Sequence, residues 1–309
     1  MQVGRFGARD SHDRSDVVRH RWRASGAGRC DDAGMTPNHR PEAGSELHAV
    51  RSGVHGTDVV LVHGFTQTHV SWGPVAADLC GDHVVTAVDA PGHGGSAGVV
   101  TDLAAGADLL GRTGSPTGPG DPARPAVYVG YSMGGRLALR LALDQPHLVR
   151  GLVLLGATAG IDDPTERAER RAADEALARR IEAEGVEPFL RGWLAQPLFA
   201  DLRPAADDLA ARKANSPTGL ASSLRHAGTG TMDPPWWDEL GACTVPVLVV
   251  AGAEDAKFTA LGRRLAATLG GGRTARLETI PGVGHAAHLQ APEAFAALVR
   301  SFVAALAPT

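Results

Sequence analysis

Cysteine is scarce in this sequence of 309 residues, and its distribution argues against two kinds of site. Cys30, Cys80 and Cys243 are an odd number and stand at no metal-ligand spacing. Such a pattern predicts neither a disulfide framework nor a zinc site, and it favours a reducing compartment. We therefore expect a cytoplasmic protein that holds no metal ion.

Long apolar runs and an excess of basic charge are missing as well. No uninterrupted apolar run approaches the roughly 18 residues that a membrane-spanning helix needs. The 34 acidic residues outnumber the 30 basic residues, which gives a formal net charge of −4. A dedicated nucleic-acid binder needs a basic face that displaces counterions. We expect neither membrane insertion nor a nucleic-acid partner, and the sequence leaves the oligomeric state open.

Aliphatic residues are nearly absent from residues 1–44, which are rich in Arg, Asp, His and Gly. Such a segment cannot bury enough apolar surface to offset the entropy of ordering it. It also lacks the apolar centre of a signal peptide. We predict a disordered extension here, with Met35 as an alternative start. A basic arm or a targeting tail is the other interpretation.

Short β-branched runs appear after residue 46 and alternate with Ala- and Leu-rich segments. Each run is almost continuously apolar, which is typical of parallel strands covered by helices on both faces. Strands that alternate with helices indicate an α/β fold with a mostly parallel sheet. The predicted strands are residues 58–62, 83–88, 126–130, 151–155, 245–250 and 275–280, and the clearest helices are residues 136–143 and 295–306.

One interval, residues 161–240, interrupts this alternation because it contains no strand signal. It begins with a charged helix over residues 165–184 and continues with further helical segments. Ligands of open α/β sheets bind at the carboxyl ends of the strands. We therefore predict a helical lid over a pocket, inserted into a core made of residues 45–160 and 241–309.

Two pentapeptides match the pattern G-x-S-x-G, in which small residues allow a tight turn that exposes a serine hydroxyl. The match Gly130-Tyr-Ser-Met-Gly134 follows a predicted strand and opens a predicted helix. The match Gly94-Gly-Ser-Ala-Gly98 lies in a Gly-rich loop with no helix directly after it. The context therefore favours Ser132 over Ser96 as the reactive serine.

A serine needs a histidine held by a carboxylate before it reacts readily. Among 13 histidines, His285 stands in a suitable place, between the predicted strand over residues 275–280 and the last helix. Glu254 and Asp255 follow the preceding predicted strand, so each is a candidate for the carboxylate. His288 raises the alternative of a His-x-x-His metal pair, but no third ligand is evident.

An oxyanion hole needs two backbone N–H groups that point at the developing negative charge. Met133 directly follows the candidate serine and supplies one N–H group in this scheme. The second donor should come from a Gly-containing loop after an early strand, and Leu61-Val-His-Gly-Phe65 has that form. We predict that the N–H groups of Phe65 and Met133 form the oxyanion hole.

These segments resemble the α/β-hydrolase fold from about residue 46 to the end of the chain. The resemblance is close to one branch, the 2-succinyl-6-hydroxy-2,4-cyclohexadiene-1-carboxylate synthases of menaquinone biosynthesis. The turn that supplies the acid in this fold reads G-x-x-D, so the resemblance selects Asp255. The matching segments are His63-Gly-Phe65, Asp89-Ala-Pro-Gly-His-Gly-Gly-Ser96, Gly130-Tyr-Ser-Met-Gly-Gly-Arg136, Glu166-Arg-Ala-Glu-Arg-Arg171, Trp193-Leu-Ala-Gln-Pro-Leu-Phe199, Gly228-Thr-Gly-Thr-Met-Asp-Pro234 and Gly252-Ala-Glu-Asp-Ala-Lys-Phe258.

The resemblance implies a lyase rather than a hydrolase. Enzymes of this branch eliminate pyruvate from 2-succinyl-5-enolpyruvyl-6-hydroxy-3-cyclohexene-1-carboxylate, and they use no cofactor. Arginine suits this small substrate with several carboxylates, because its planar fork binds carboxylate oxygens in pairs. By resemblance the substrate-binding residues are Arg136, Arg170, Arg212, Tyr131, Trp193 and Lys257, while Arg167, Arg171, Arg191 and Lys213 compete for the roles of Arg170 and Arg212.

The implied mechanism uses the serine as a base. His285, oriented by Asp255, takes the Ser132 proton, and Ser132 then removes the acidic proton beside the succinyl ketone. A serine esterase or a carbon–carbon bond hydrolase of the same fold would keep these three residues and use water. A non-catalytic binding module would be expected to lack one of them, and none is missing.

Overall fold

The computed structural model describes residues 46–115 and 124–306. Their centre is a seven-stranded sheet, in which only β1 runs antiparallel to its neighbour. The strands are β1 (Ala49–Ser52), β2 (Thr57–Val62), β3 (His83–Val88), β4 (Ala126–Tyr131), β5 (Val149–Leu155), β6 (Val247–Gly252) and β7 (Ala275–Ile280), and their spatial order is β1-β3-β2-β4-β5-β6-β7. This sheet confirms the predicted α/β fold with a mostly parallel sheet.

The parallel strands lie where the apolar runs predict them. β3 and β7 have the predicted bounds, β2 and β4 each gain one residue, and β6 begins two residues later than predicted. β1 was not predicted, because its four residues include the exposed Arg51 and carry no continuous apolar run. It lies at the edge of the sheet beside β3, where a half-exposed strand needs little apolar surface.

Helices cover both faces of the sheet. One face packs against α2 (Leu103–Gly114), α3 (Met133–Asp144) and α8 (Ala256–Thr268), and the other face packs against α1 (Gly73–Leu79), α9 (Ala287–Gln290) and α10 (Pro292–Ala305). Leu110, Leu137 and Leu141 are buried on the first face. Trp72 and Phe295 are buried on the second.

Between β5 and β6 lie only helices and turns, as far as this stretch is described. The main helices are α4 (Pro164–Glu184), α5 (Val186–Leu194), α6 (Ala206–Lys213) and α7 (Pro217–Ala227). They share an apolar cluster of their own, which contains Ile181, Phe189 and Leu220, and Phe65 packs against it. We call residues 161–240 the inserted segment, and its role as a lid stays a prediction.

The carboxyl ends of four parallel strands meet at one edge of the sheet. The loop from residue 63 follows β2, Ser132 follows β4, Asp255 follows β6 and His285 follows β7. Because neighbouring parallel strands end at the same side, residues that are far apart in the chain lie together there. The candidate site is therefore built on the ends of rigid strands.

The N-terminal segment, the cysteines and the hydropathy of the helices bear on three further expectations. The predicted extension over residues 1–44 lies outside the described residues. Cys243 is a free, buried thiol, whereas Cys80 is disulfide-bonded, a bond that the odd number of cysteines did not predict. None of the helices within residues 46–115 and 124–306 combines the length and hydropathy that crossing a bilayer requires.

Candidate active site

Ser132 lies in a sharp turn between β4 and α3. Its φ of 51° and ψ of −105° are a strained conformation for a residue with a side chain. The flanking glycines permit this turn, because a Cβ atom on Gly130 would lie 2.5 Å from the carbonyl oxygen of Gly134, and one on Gly134 would lie 2.2 Å from that of Val62. The turn is the strand-to-helix elbow that the motif predicts.

Ser96, the alternative serine, has a different environment. It is buried, and its hydroxyl accepts a hydrogen bond of 2.9 Å from the backbone N–H of His48. Ser132 by contrast is partly exposed at the end of a central strand. The geometry favours Ser132 as the reactive serine.

His285 and Asp255 form a buried pair at the carboxyl ends of β7 and β6. Nδ1 of His285 donates a hydrogen bond of 2.7 Å to Oδ2 of Asp255. The other carboxylate oxygen accepts a bond of 3.1 Å from the N–H of Phe258, which fixes the carboxylate at the start of α8. With Nδ1 protonated, Nε2 of His285 is the ring atom that can accept a proton. Among the described residues the Ser132 hydroxyl is not hydrogen-bonded to His285.

Aromatic rings surround His285 and extend toward the inserted segment. The rings of Phe258, Tyr131 and Phe199 have their centroids 4.3, 5.2 and 6.2 Å from that of His285. Trp193 lies 5.9 Å from Phe199 and 5.2 Å from Phe65, again between centroids. Trp193 therefore belongs to the same aromatic wall as the residues around His285.

The loop after β2 carries the second predicted oxyanion donor. A Cβ atom on Gly64 would lie 3.5 Å from Cβ of Ser132, so the loop runs directly past the serine. The N–H of Phe65 is bonded to no other group among the described residues. Met133 is the first residue of α3, and the N–H of a first helical residue has no acceptor within its helix. Both predicted donors are therefore available.

Thr66, in the loop after β2, has an unusual backbone conformation. Its φ of 69° is rare for a β-branched residue. The surroundings compensate with hydrogen bonds: its N–H donates to Nε2 of His93 at 3.3 Å, and its carbonyl oxygen accepts from Nδ2 of Asn215 at 3.0 Å. Thus a histidine of the core and an asparagine of the inserted segment both hold the loop.

Two buried histidines support the loop as neutral rings. Nδ1 of His63 donates to the carbonyl oxygen of Gly64, while its Nε2 accepts from the N–H of Ala90. Burial away from water lowers the pKa of His63 to about 3 and that of His93 to about 4. Each ring therefore keeps one nitrogen as an acceptor at neutral pH.

His288 lies in the core and is hydrogen-bonded to Gln67. Oε1 of Gln67 accepts from the N–H of Gly64, so its amide nitrogen faces His288 and donates to Nε2 at 3.3 Å. Burial, together with the nearby positive charge of Arg212, lowers the pKa of His288 well below its usual value. His288 is therefore a neutral ring of the core.

Arg136 and Arg170 lie close together on α3 and α4. Arg136 is 8% exposed, and its Nη2 donates to the carbonyl oxygen of Ala227 at 2.8 Å. Burial, reinforced by the charge of Arg170, lowers the pKa of Arg136 to about 10. Nε of Arg170 donates to the buried carboxylate of Asp174 at 2.9 Å. Arg136 thus remains cationic near neutral pH, and Asp174 supplies a counter-charge.

Arg212 is the most buried of the predicted arginines, at 2% exposed. Its Nε donates to Oδ2 of Asp208 at 2.8 Å, and its Nη1 contacts Oγ1 of Thr66 at 3.4 Å. Its Nη2 is buried and has no partner among the described residues. The charge of Arg212 also acts on Tyr131, where it opposes the rise in pKa that burial causes. Arg212 therefore lies beside the residue that precedes Ser132.

Three of the four competing basic residues are engaged elsewhere, and the fourth, Arg191, is exposed. Arg167 donates to Asp233 and to carbonyl oxygens at the start of α4, and Arg171 donates to the carbonyl oxygen of Gly230. Lys213 pairs with Glu187 on the exposed surface. The predicted Lys257 is exposed, and its Nζ lies 5.8 Å from the centre of the Phe258 ring. These contacts favour Arg170 and Arg212 over their neighbours.

One group of possible metal ligands occurs among the described residues, outside the site. It consists of His48, His69 and Asp89, whose ligand atoms lie within 4.8 Å of one another. Both carboxylate oxygens of Asp89 already accept hydrogen bonds, from the two imidazoles and from the N–H groups of His69 and Gly95. Because this network is complete without an ion, the expectation of no metal stays as it was.

A family model described as Alpha/beta hydrolase family matches residues 59–298. The chain therefore belongs to this family of enzymes. Two relatives carry the name 2-succinyl-6-hydroxy-2,4-cyclohexadiene-1-carboxylate synthase. The one from Serratia proteamaculans is 32% identical over 79% of this chain and 92% of its own length. The one from Photorhabdus laumondii is 33% identical over 79% and 84%. Within the family, the chain belongs to the branch of these synthases.

Solved structures agree with this placement. MenH from S. aureus is 26% identical and covers 84% of this chain and 98% of its own, with a TM-score of 0.74. A thermophilic esterase from Thermogutta terrifontis, solved with malate bound, has a TM-score of 0.69 at 22% identity, covering 84% and 93%. The second likeness shows the fold alone, and it illustrates that esterases share this fold.

Sequence reasoning missed the residues that hold the predicted ones. Asp208 lies four residues before Arg212 on α6, a spacing that places oppositely charged side chains together on a helix. That signal was present in the sequence. The contact of Asn215 with Thr66 joins residues 149 positions apart, and no local pattern predicts it.

Proposed function

We propose that this enzyme is a lyase of menaquinone biosynthesis, a 2-succinyl-6-hydroxy-2,4-cyclohexadiene-1-carboxylate synthase. Its substrate would be 2-succinyl-5-enolpyruvyl-6-hydroxy-3-cyclohexene-1-carboxylate, and its second product pyruvate. The observation that carries the proposal is the buried guanidinium of Arg212, with an unpaired Nη2, beside the Ser132 turn. An unpaired buried donor is costly, and a substrate carboxylate would satisfy it.

The reaction begins with proton removal. Asp255 holds the His285 ring so that Nε2 takes the proton of Ser132, and the serine oxygen removes a proton from the carbon beside the succinyl ketone. The electron pair forms a dienolate, whose oxygen accepts hydrogen bonds from the N–H groups of Phe65 and Met133. The carbon–oxygen bond to the enolpyruvyl group then breaks, and the departing enolate takes up a proton to become pyruvate. No acyl-enzyme and no cofactor is needed.

Several positive groups would bind the carboxylates of the substrate. Arg136, Arg170 and Arg212 supply guanidinium groups from three different helices, while Trp193 and Tyr131 provide aromatic walls. Lys257 is exposed and is proposed as a contact at the mouth of the pocket. We also propose a cytoplasmic location, which fractionation of the native cells would test, and no nucleic-acid partner.

The second candidate is a serine esterase or carbon–carbon bond hydrolase. It is favoured by the shared elbow and by the His285–Asp255 pair, which esterases of this fold also use. It leaves the buried arginines without a role, because a neutral ester has no charge for them to bind.

A side-by-side assay distinguishes the two candidates. The purified enzyme is given the enolpyruvyl substrate and, separately, p-nitrophenyl acetate, and the release of pyruvate and of p-nitrophenol is followed. We expect pyruvate release and weak ester hydrolysis. Robust ester turnover without any pyruvate would establish the hydrolase instead.

Ser132→Ala tests the role of the serine. We expect pyruvate release to fall by about 10³-fold or more, because the base is lost, while substrate binding is largely kept. Binding is measured by calorimetry on the inactive variant. The assigned role is wrong if the variant keeps full activity.

A further inference from the structure

Arg212 and Asp208 form an ion pair with an incomplete geometry. A guanidinium and a carboxylate commonly pair through two parallel hydrogen bonds, using both carboxylate oxygens. Here only Oδ2 of Asp208 binds Arg212, through Nε at 2.8 Å. Both side chains are almost fully buried, since Asp208 is 3% exposed and Arg212 is 2% exposed.

The second oxygen of Asp208 is occupied by a serine. The hydroxyl of Ser71, which is 1% exposed, donates a hydrogen bond to Oδ1 of Asp208. Ser71 belongs to the short turn of helix over His69–Trp72, which follows the loop after β2. Because Oδ1 is engaged by this hydroxyl, Nη2 of Arg212 keeps no protein partner within the described part of the chain.

The free nitrogen belongs to the catalytic end of the sheet. The neighbouring Nη1 of Arg212 contacts Thr66, the residue after the predicted oxyanion donor Phe65. The position is also fixed from the inserted segment, because Asn215 donates to the carbonyl oxygen of the same Thr66. Arg212 thus has a fixed Nε, a contact through Nη1 and an unpaired Nη2 at a site where an anion is expected.

We propose that Ser71 and Asp208 are positioning residues, which hold Arg212 through Nε alone and so keep Nη2 free for a carboxylate of the substrate. Asp208 supplies the counter-charge that allows a cation to be buried before substrate binds. The Ser71 hydroxyl occupies Oδ1 of Asp208, so this oxygen does not bind Nη2 of Arg212. Such a second bond would compete with the substrate carboxylate for Nη2. This inference rests on the proposed function.

Ser71→Ala is the direct test. The variant frees Oδ1 to rotate onto Nη2, and the substrate then has to displace a charge-assisted hydrogen bond. We expect KM for the enolpyruvyl substrate to rise about tenfold, with kcat changed less than about threefold because the base and the oxyanion donors are untouched. Ser71→Thr keeps the hydroxyl, and we expect it to restore KM to within about threefold of the wild-type value.

The matched control is Ser115→Ala. Ser115 is likewise a buried serine whose hydroxyl donates to a single oxygen, the carbonyl of Arg124, but it precedes β4 at the opposite end of the sheet. We expect no change in KM for this variant. An equal rise in KM in both variants would mean that the loss of any buried hydroxyl disturbs the protein, and it would overturn the assignment.

A double-mutant cycle separates positioning from a structural role. In an Arg212→Met background there is no guanidinium to position, so Ser71→Ala and Asp208→Asn should change KM less than about twofold. If their effects persist there, they do not act through Arg212 and the inference fails. An unchanged KM for Ser71→Ala in the wild-type background also overturns it.

Failure of the proposed function has its own signature. In that case the wild-type enzyme itself releases no pyruvate. Calorimetric titration of the same variants with 4-oxopentanoate, which carries a succinyl-like keto-carboxylate arm, then decides about Ser71. We expect wild type to bind this anion about tenfold more tightly than Ser71→Ala, and equal affinities would refute the positioning role.

Discussion

At the scale of single residues, the site carries strain at two points. Ser132 and Thr66 are the two non-glycine residues with positive φ in the described part of the chain. Each is next to one of the predicted oxyanion donors, Met133 and Phe65. Such conformations cost about 1–3 kcal/mol each and persist only where the surroundings impose them. The strain therefore coincides with the two predicted oxyanion donors.

Gly156→Ala tests how tightly His285 is held. Gly156 has a φ of +57°, and a Cβ atom there would lie 2.7 Å from Cε1 of His285. The added methyl group displaces the ring, so we expect kcat for pyruvate release to fall about 100-fold, as misplacement of a catalytic group by about 1 Å does. Steady-state kinetics measures this loss.

Gly282→Ala is the control for backbone strain. Gly282 has a similar φ of +69°, but a Cβ atom there meets nothing within 4 Å. Both substitutions cost about 1–2 kcal/mol in the left-handed region, whereas only Gly156→Ala reaches His285. A comparable loss of kcat in the control would attribute the effect to strain rather than to the histidine.

At the scale of elements, the inserted segment holds the loop after β2, which carries the predicted oxyanion donor Phe65. Asn215, between α6 and α7, donates to the carbonyl oxygen of Thr66 and accepts from the N–H of Gly94 at 2.8 Å. Asn215 lies 149 positions from Thr66 and 121 positions from Gly94, so it joins the loop after β2 to the loop after β3. Movement of the segment would alter the loop at the same time.

Asn215→Ala should therefore lower turnover. The variant loses an amide that is bonded to three backbone groups, the carbonyl oxygens of Thr66 and Arg212 and the N–H of Gly94. We expect kcat to fall on the order of tenfold, because the Phe65 N–H is no longer fixed. The free energy of unfolding should fall by about 2 kcal/mol. Kinetics and urea denaturation measure the two effects.

Ser216→Ala is the matched control for that variant. The neighbouring Ser216 caps α7 by accepting from the N–H of Gly219, and it has no contact with Thr66 among the hydrogen bonds of the described residues. We expect a stability loss of about 1 kcal/mol with unchanged kcat. A fall in kcat for both variants would show that general loosening of the segment, not the Thr66 contact, governs turnover.

The predictability of these elements differs for a physical reason. The strands and the elbow helix follow from local patterns, apolar runs and a Gly-x-Ser-x-Gly turn, which determine structure over a few residues. The side chains of Asn215 and Ser71 bind partners more than 100 positions away, a backbone carbonyl and a carboxylate, and polarity alone does not identify such a partner. Asp208 was the exception, since its spacing from Arg212 is local.

At the scale of the whole molecule, stability should depend on the protonation of buried histidines. Burial lowers the pKa of His63 to about 3 and that of His93 to about 4, and it lowers the pKa of His288 as well. The unfolded chain binds protons at these rings below a pH of about 6.5, whereas the folded protein does not. The stability from the neutral rings is thus complete above pH 6.5 and is lost as the pH falls.

We expect the free energy of unfolding to decrease between about pH 6.5 and pH 4, by up to about 1.4 kcal/mol per pH unit for each buried ring. His93→Asn should lower by about one the number of protons that the chain takes up on unfolding at acidic pH, so the free energy of unfolding should depend less steeply on pH. Urea denaturation at several pH values measures the slope. Exposed His147→Asn is the control and should leave the slope unchanged. An unaltered slope in His93→Asn would contradict the prediction.

The sequence by itself determined the α/β fold and the position of the serine turn, and it predicted the order of serine, acid and histidine along the chain. These follow from local periodicity and from short motifs, which do not depend on contacts between distant residues. Only the tertiary structure decided which arginines are buried, that Ser96 is bonded to His48, and which side chains hold the loop after β2. Burial and pairing depend on residues brought together from distant positions, and a cation such as Arg212 is buried only where packing also supplies its counter-charge.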